Sequence, residues 1–168
     1  PLREMGSLTF EKSLEDALKT PTYIIESLPE NLQLKHNLYK EIEQISNNSI
    51  ILSSTSGFKP TDLQKYMKNP QSLLVTHPFN PVYLMPLVEL VPGQERDQKI
   101  VDDVHHLLEY VGMVPIIIKK EIDAFVADRM LEAMWREALW LIKDDICTTK
   151  ELDDIITSSF GIRFAQMG

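Results

Sequence analysis

His77-Pro78-Phe79-Asn80-Pro81-Val82-Tyr83-Leu84-Met85-Pro86-Leu87-Val88-Glu89 joins two apolar runs, Ser72-Leu73-Leu74-Val75-Thr76 before it and Leu87-Val88-Glu89-Leu90-Val91 at its end. Each run is short and bounded by turn residues, so each reads as a buried strand. A histidine followed by proline is kept out of a helix, because the proline ring disfavours the α conformation of the residue before it. This reading puts His77 where a loop leaves the strand, the place where α/β proteins assemble ligand sites. Glu89 interrupts the second run. A carboxylate removed from water needs a partner, and His77 is the obvious candidate. A histidine paired with a carboxylate makes a general base near neutral pH. The plainer alternatives are a satisfied core histidine and a glutamate facing water from an edge strand.

Working outward, Thr22-Tyr23-Ile24-Ile25-Glu26, Ile50-Ile51-Leu52 and Val114 to Ile118 read as further buried strands. Between them lie helical stretches at 13–18, from Pro29-Glu30 onward, at 61–67 and at 95–111. In the second of these, Leu34, Leu38, Ile42 and Ile45 form the apolar stripe, with Lys35, Lys40 and Glu43 on the polar side. Asn47-Asn48 reads as a turn. Alternating strands and helices imply βαβ units and a largely parallel sheet, with the later strands free to run antiparallel where no full helix joins them. Beyond Lys120 strands cease. Phe125, Met130, Met134, Ala138, Leu141 and Ile142 fit one long helix, and a second spans Thr149 to Thr157 with Thr148 or Thr149 as N-cap. Trp140 reads as core packing. A boundary at 119–124 divides the chain into domains at 1–120 and 121–168.

The formal charge of -8 argues against nucleic-acid binding. No apolar run reaches membrane-spanning length, so no membrane partner is expected. The single cysteine, Cys147, cannot form an internal disulfide. The N-terminal Pro1-Leu2-Arg3-Glu4-Met5-Gly6 lacks a signal peptide's apolar core and reads as the tail of a helix. These features lead to the expectation of a cytoplasmic protein and of a chain that is a fragment of a longer one.

The form HPFNPVYLMPLVE at 77–89 resembles the active-site segment of the 3-hydroxyacyl-CoA dehydrogenase superfamily. The similarity runs from about Leu8 to Gly168. Within the superfamily, FVADRMLEAMWREAL at 125–139, TTKELDD at 148–154 and GIRFAQMG at 161–168 are most similar to the L-carnitine 3-dehydrogenase branch. The L-gulonate 3-dehydrogenase/lambda-crystallin branch is similar at PLVELVPG and KEIDAFV, but it usually differs at Phe79 and Asp128. The resemblance implies an α/β fold: the second half of a Rossmann-like NAD-binding domain, lacking its Gly-rich first half, followed by the start of an all-helical C-terminal domain. It implies NAD as cofactor, a small hydroxy acid as substrate, hydride transfer from the 3-hydroxyl, and a homodimer through the helical domain. The alternatives are the gulonate or acyl-CoA activities, or a non-catalytic crystallin-like or binding module.

The resemblance also implies roles. His77 is the base and Glu89 orients it. Ser56, in Ser54-Thr55-Ser56-Gly57, contacts substrate and nicotinamide, although Ser-Gly is by default a turn. Asn80 hydrogen-bonds the cofactor and the reacting oxygen. Glu30 and Lys35, otherwise helix-surface charges, match cofactor-contacting positions. Asp128 stands where the acyl-CoA branch has Asn. A carboxylate there, with Trp135 seven residues on and able to share its face, suits a quaternary ammonium. Arg163 offers a guanidinium to a small carboxylate; its plain alternative is an exposed charge near a helix end.

Overall fold

The computed structural model describes residues 6–46 and 48–168. Residues 1–5, read as part of a helix tail, and Asn47 of the expected turn lie outside the described residues. The chain forms two compact units, Pro1–Val126 and Ala127–Gly168.

The first unit runs α1 (Leu14–Ala17), β1 (Tyr23–Glu26), α2 (Leu32–Ile45), β2 (Ile50–Ser53), α3 (Pro60–Gln64), β3 (Leu73–Pro78), β4 (Leu87–Pro92), α4 (Gln98–Tyr110) and β5 (Val114–Ile117). The five strands form one sheet in chain order. β1, β2 and β3 are parallel, as helical crossovers require. β4 follows β3 through a loop too short for a crossover and runs antiparallel to it, and β5, reached through α4, is parallel to β4. Among the described residues β1 pairs with β2 alone, leaving an edge on which Ile25 is 73% exposed. That open edge is the feature expected of a doubly wound sheet represented by its second half.

Side chains alternate across the sheet with the period of two that strands impose. Ile51, Leu73, Val75 and Val91 face one side and pack with Leu18, Tyr39, Ile42, Leu63 and Phe125. Leu52, Leu74 and Leu90 face the other and pack with Val101 and Val104 of α4. The sheet is thus a middle layer, with α1–α3 on one face and α4 on the other.

Two local readings need correction. α2 does not begin at Pro29-Glu30. It begins at Leu32, because the Asn31 side chain caps it by accepting the Leu34 N–H at 3.1 Å. Its buried face is Lys35, His36, Tyr39 and Ile42, while Leu34 is exposed. A buried acceptor, Glu26, turns the helix so that a lysine and a tyrosine face inward. The expected third strand ran to Thr76, but β3 extends to Pro78 and takes His77 into the ladder.

The second unit consists of α5 (Ala127–Lys143), α6 (Thr149–Ser158) and α7 (Phe160–Met167). Thr148 is the cap of α6, in a reciprocal capping box with Glu151. α7 had no counterpart in the sequence reading, its eight residues being too short for a periodic pattern to stand out. No α5 residue is buried. Trp140 is half exposed, with the Lys143 ammonium 4.0 Å from its ring centroid, so it is a cation–π partner and not core. Among the described residues no helix is long and apolar enough to cross a membrane.

Candidate active site

The antiparallel register of β3 and β4 sets His77 and Glu89 opposite each other as Cα partners. Directly opposed residues in a ladder share a face, so the register alone brings the two side chains together. The His77 Nδ1 lies 2.9 Å from the Glu89 Oε2, with both residues buried. A carboxylate accepts, so Nδ1 donates its proton toward Glu89. The Phe125 ring, 5.3 Å from the His77 ring, packs beside the pair, and the Val126 N–H donates to Glu89 Oε1 at 2.9 Å. The sequence reading put Phe125 on the apolar face of the long helix, but α5 begins only at Ala127 and Phe125, in left-handed backbone, packs into the core beside the sheet; Val126 had no assigned role. Both come from a distant segment, and a backbone donor leaves no trace in residue type.

An open cleft of about 550 Å3 lies at the carboxyl ends of β1–β3. Its polar lining includes Ser27, Ser54, Ser56, His77 and Asn80, set against an apolar floor of Leu52, Val88, Leu108 and Met113. Asn80 is exposed on the β3–β4 loop, where its peptide bond to Pro81 is cis. Ser56 is half-buried.

Glu30 lies in the turn before α2 and reaches across to the β2–α3 loop. Its carboxylate accepts from Thr55 Oγ1 at 2.6 and 2.7 Å and from the Ser56 N–H at 3.1 Å. It therefore stitches together the two loops that edge the cleft. An added Cβ at Gly57 would sit 3.4 Å from the Glu30 Oε2, an ordinary contact, so Gly57 is not held to glycine by crowding.

Lys35 does not line the cleft. Its ammonium, fully buried, lies 2.8 Å from Glu26 Oε1 and 3.0 Å from the Leu28 carbonyl. Glu26 also accepts from Tyr39 and Ser53 hydroxyls, each at 2.6 Å, and from the Leu28 N–H. Burial pushes the Glu26 carboxyl up, but the Lys35 ammonium, both hydroxyls and the backbone donor outweigh it and hold the group below its usual value. Burial, then the bond to Glu26, pushes the Tyr39 phenol well above its usual range. This knot ties the end of β1 to α2 and β2. The clue available in the sequence was Lys35, Tyr39 and Ile42 at i, i+4 and i+7, a stripe passed over because it contains a lysine.

The remaining candidates lie in the second unit. Asp128 is in the first turn of α5, and Trp135, 56% exposed, is two turns on. Trp135 lines an apolar groove between α5 and α6 with Leu131, Met134, Leu152 and Ile156. Arg163 is exposed on α7 beside Ser159 and Phe160.

The first cleft thus sets hydroxyls and an amide against an apolar floor. The 3-hydroxyacyl-CoA dehydrogenase NAD binding domain family matches residues 2–122, and the corresponding C-terminal domain family matches 125–168. The L-carnitine dehydrogenase of Mesorhizobium japonicum is 53% identical, over 99% of this chain and 46% of the relative. That of Oceanobacillus iheyensis is 52% identical, over 96% of this chain and 53% of the relative. The L-carnitine dehydrogenase/betainyl-CoA thioesterase of a Rhizobium species is 50% identical, over 100% of this chain and 34% of the relative. The chain thus spans about half the length, or less, of these relatives. Among solved structures, 5-formyl-3-hydroxy-2-methylpyridine 4-carboxylic acid 5-dehydrogenase, an NAD+ dependent dismutase, superposes with a TM-score of 0.93 at 28% identity over 100% of this chain and 55% of its own. The (S)-3-hydroxybutyryl-CoA dehydrogenase of Ralstonia eutropha superposes with a TM-score of 0.75 at 33% identity, over 82% of this chain and 48% of its own. With a sheet ending in a buried histidine–glutamate pair, and two adjoining family matches that account for nearly every residue, the chain belongs to the 3-hydroxyacyl-CoA dehydrogenase family.

Proposed function

We propose that this protein is an NAD-dependent dehydrogenase that oxidises the 3-hydroxyl of L-carnitine to 3-dehydrocarnitine. The observation that carries the reading is the His77–Glu89 pair, in register across β3 and β4 and 2.9 Å apart. The names of the relatives supply the substrate. NAD, when bound, accepts the hydride released from the carbinol carbon.

Each residue has a distinct task in this reading. His77 Nε2 takes the hydroxyl proton as the O–H bond breaks. Glu89 holds the imidazole in the tautomer with its proton on Nδ1 and stabilises the imidazolium that forms. Asn80, on the exposed rim, offers a neutral amide to the reacting oxygen and the cofactor without competing for the proton. Ser56 serves substrate and nicotinamide. Glu30 acts through Thr55 and Ser56 by fixing their loop, and Lys35 acts through Glu26 by tying the end of β1 to α2 and β2. Arg163 binds the carnitine carboxylate, and Asp128 with Trp135 favours its trimethylammonium.

The protein functions as a homodimer through the helical unit in this reading. Support comes from the exposed apolar surface of α5–α7, where Met130, Leu139, Ile155, Ile162, Phe164 and Met167 are each more than half exposed. Its compartment is the cytoplasm, in keeping with the acidic charge and the single cysteine. The test is NADH formation by the complete protein with L-carnitine, L-gulonate and a 3-hydroxyacyl-CoA. Turnover of L-carnitine well above the other two is expected, and preference for either competitor overturns the substrate assignment.

A further inference from the structure

After β5 the chain turns back along the α2–α3 face of the sheet. It is fastened there at several points. The Ile118 N–H donates to the Leu90 carbonyl at 2.9 Å. Glu121 accepts from the Thr61 N–H at 3.0 Å, and Asp123 pairs with Lys59 at 2.9 Å. Two consecutive residues then adopt left-handed backbone, Ala124 at φ 58° and Phe125 at φ 48°. Residues with a Cβ rarely adopt this conformation, and phenylalanine especially so. Such geometry persists where the surroundings over-determine it, and it clusters at functional sites. Here its consequence is visible. Phe125 turns inward to 1% exposure against Val75, Val91 and the His77 ring, and the next N–H, that of Val126, points at Glu89 Oε1 from 2.9 Å.

We propose that the Val126 backbone N–H, aimed by the left-handed Ala124-Phe125 turn, is a positioning group for the catalytic dyad. It holds one oxygen of Glu89 so that the other keeps the His77 ring in its working orientation. The inference rests on the reading of His77 as the base. The terminal torsion of a carboxylate is broad and soft, and each donor on it narrows that freedom. The Val126 N–H on Oε1 in this way helps present Oε2 to Nδ1. The Val126 side chain is 48% exposed, so the contribution lies in the backbone donor and not in the valine. Phe125 closes the apolar side of the pair and denies water to the charge-assisted bonds. Glu89, carried by β4, thus meets both its partner on β3 and the returning strap.

The test is replacement of Val126 by its α-hydroxy analogue in the complete protein. This turns the amide into an ester and deletes the N–H with little change of shape. Loss of a donor to a charged acceptor is expected to lower kcat about 10- to 100-fold. KM and the NAD dissociation constant should stay within two-fold, since the group touches neither ligand. Val126→Ala, which keeps the N–H, should retain far more of kcat than the ester does. Phe125→Leu is the second variant, with kcat several-fold lower and NAD affinity unchanged. An ester protein with wild-type kcat overturns the proposal, as does one that loses kcat only together with NAD affinity and thermal stability. His77→Gln separates the two levels. If it retains kcat, the base reading itself falls; if it loses kcat while the ester does not, this proposal alone falls.

Discussion

Replacing Lys35 by methionine keeps the length of the side chain and removes the ammonium that sits 2.8 Å from Glu26 with both side chains out of water. Breaking a buried ion pair at one partner typically costs about 3–5 kcal/mol, because the other charge stays behind unpaired. Glu26 retains the Tyr39 and Ser53 hydroxyls and the Leu28 N–H, so the lower end, about 3 kcal/mol at neutral pH, is expected here. The pH dependence carries a signature. In the wild type the folded-state carboxyl lies below its usual value. Its stabilisation is therefore present above the unfolded value of about 4.5 and lost as the pH falls through the lower, folded value. In Lys35→Met the largest lowering influence is gone and burial dominates, so the folded value moves up. That variant's deficit should be greatest near pH 7 and shrink toward pH 4, where a protonated Glu26 tolerates burial. The assay is thermal unfolding of both proteins between pH 4 and 8, with NAD affinity measured alongside. Adding Glu26→Gln should recover much of the loss at neutral pH. A Lys35→Met protein of unchanged stability but weakened NAD binding would refute the reasoning and return Lys35 to a direct cofactor contact.

Gly93→Ala is expected to destabilise by about 2 kcal/mol, since its Cβ would fall 2.0 Å from the Gln64 Oε1. The Gln64 amide, which reaches the Pro70, Leu73 and Glu95 carbonyls at 2.8–3.0 Å, would have to move; thermal unfolding reads the loss, and Gln64→Ala added to Gly93→Ala should relieve the clash. Arg163→Ala should raise KM for carboxylated substrates about 10- to 100-fold, the loss of one charge-assisted pair. Asp128→Asn should weaken L-carnitine more than L-gulonate in steady-state kinetics, and equal losses would remove the charge argument for carnitine.

Periodicity made most of the scaffold legible. Val75 and Val91, Leu74 and Leu90 lie in runs whose length and flanking prolines announce strands, and the change after Lys120 to helical spacing announces a different architecture. The dyad was legible as a pair of residue types, but its geometry was not. Only the extension of β3 to Pro78 and the antiparallel register place His77 across from Glu89, and a one-residue slip would have put them on opposite faces. The knot around Glu26 stayed hidden for a related reason. Hydropathy assigns lysine to the solvent side of a helix, whereas a buried carboxylate three-dimensionally near Lys35 reverses that preference. Glu30 stood out in the sequence only by resemblance, as a cofactor-contacting position or else a helix-surface charge, and nothing there announced Thr55 and the Ser56 N–H as its partners. Tertiary hydrogen bonds to backbone, such as that from Val126, leave the least trace in sequence because any residue but proline can make them.

The central claim, that His77 is the base of an NAD-linked alcohol oxidation, is tested most directly by the kcat of His77→Gln in the complete protein with L-carnitine and NAD. The account predicts a fall of about 10²- to 10⁴-fold in kcat with the NAD dissociation constant unchanged. A variant that oxidises L-carnitine at the wild-type rate would contradict it.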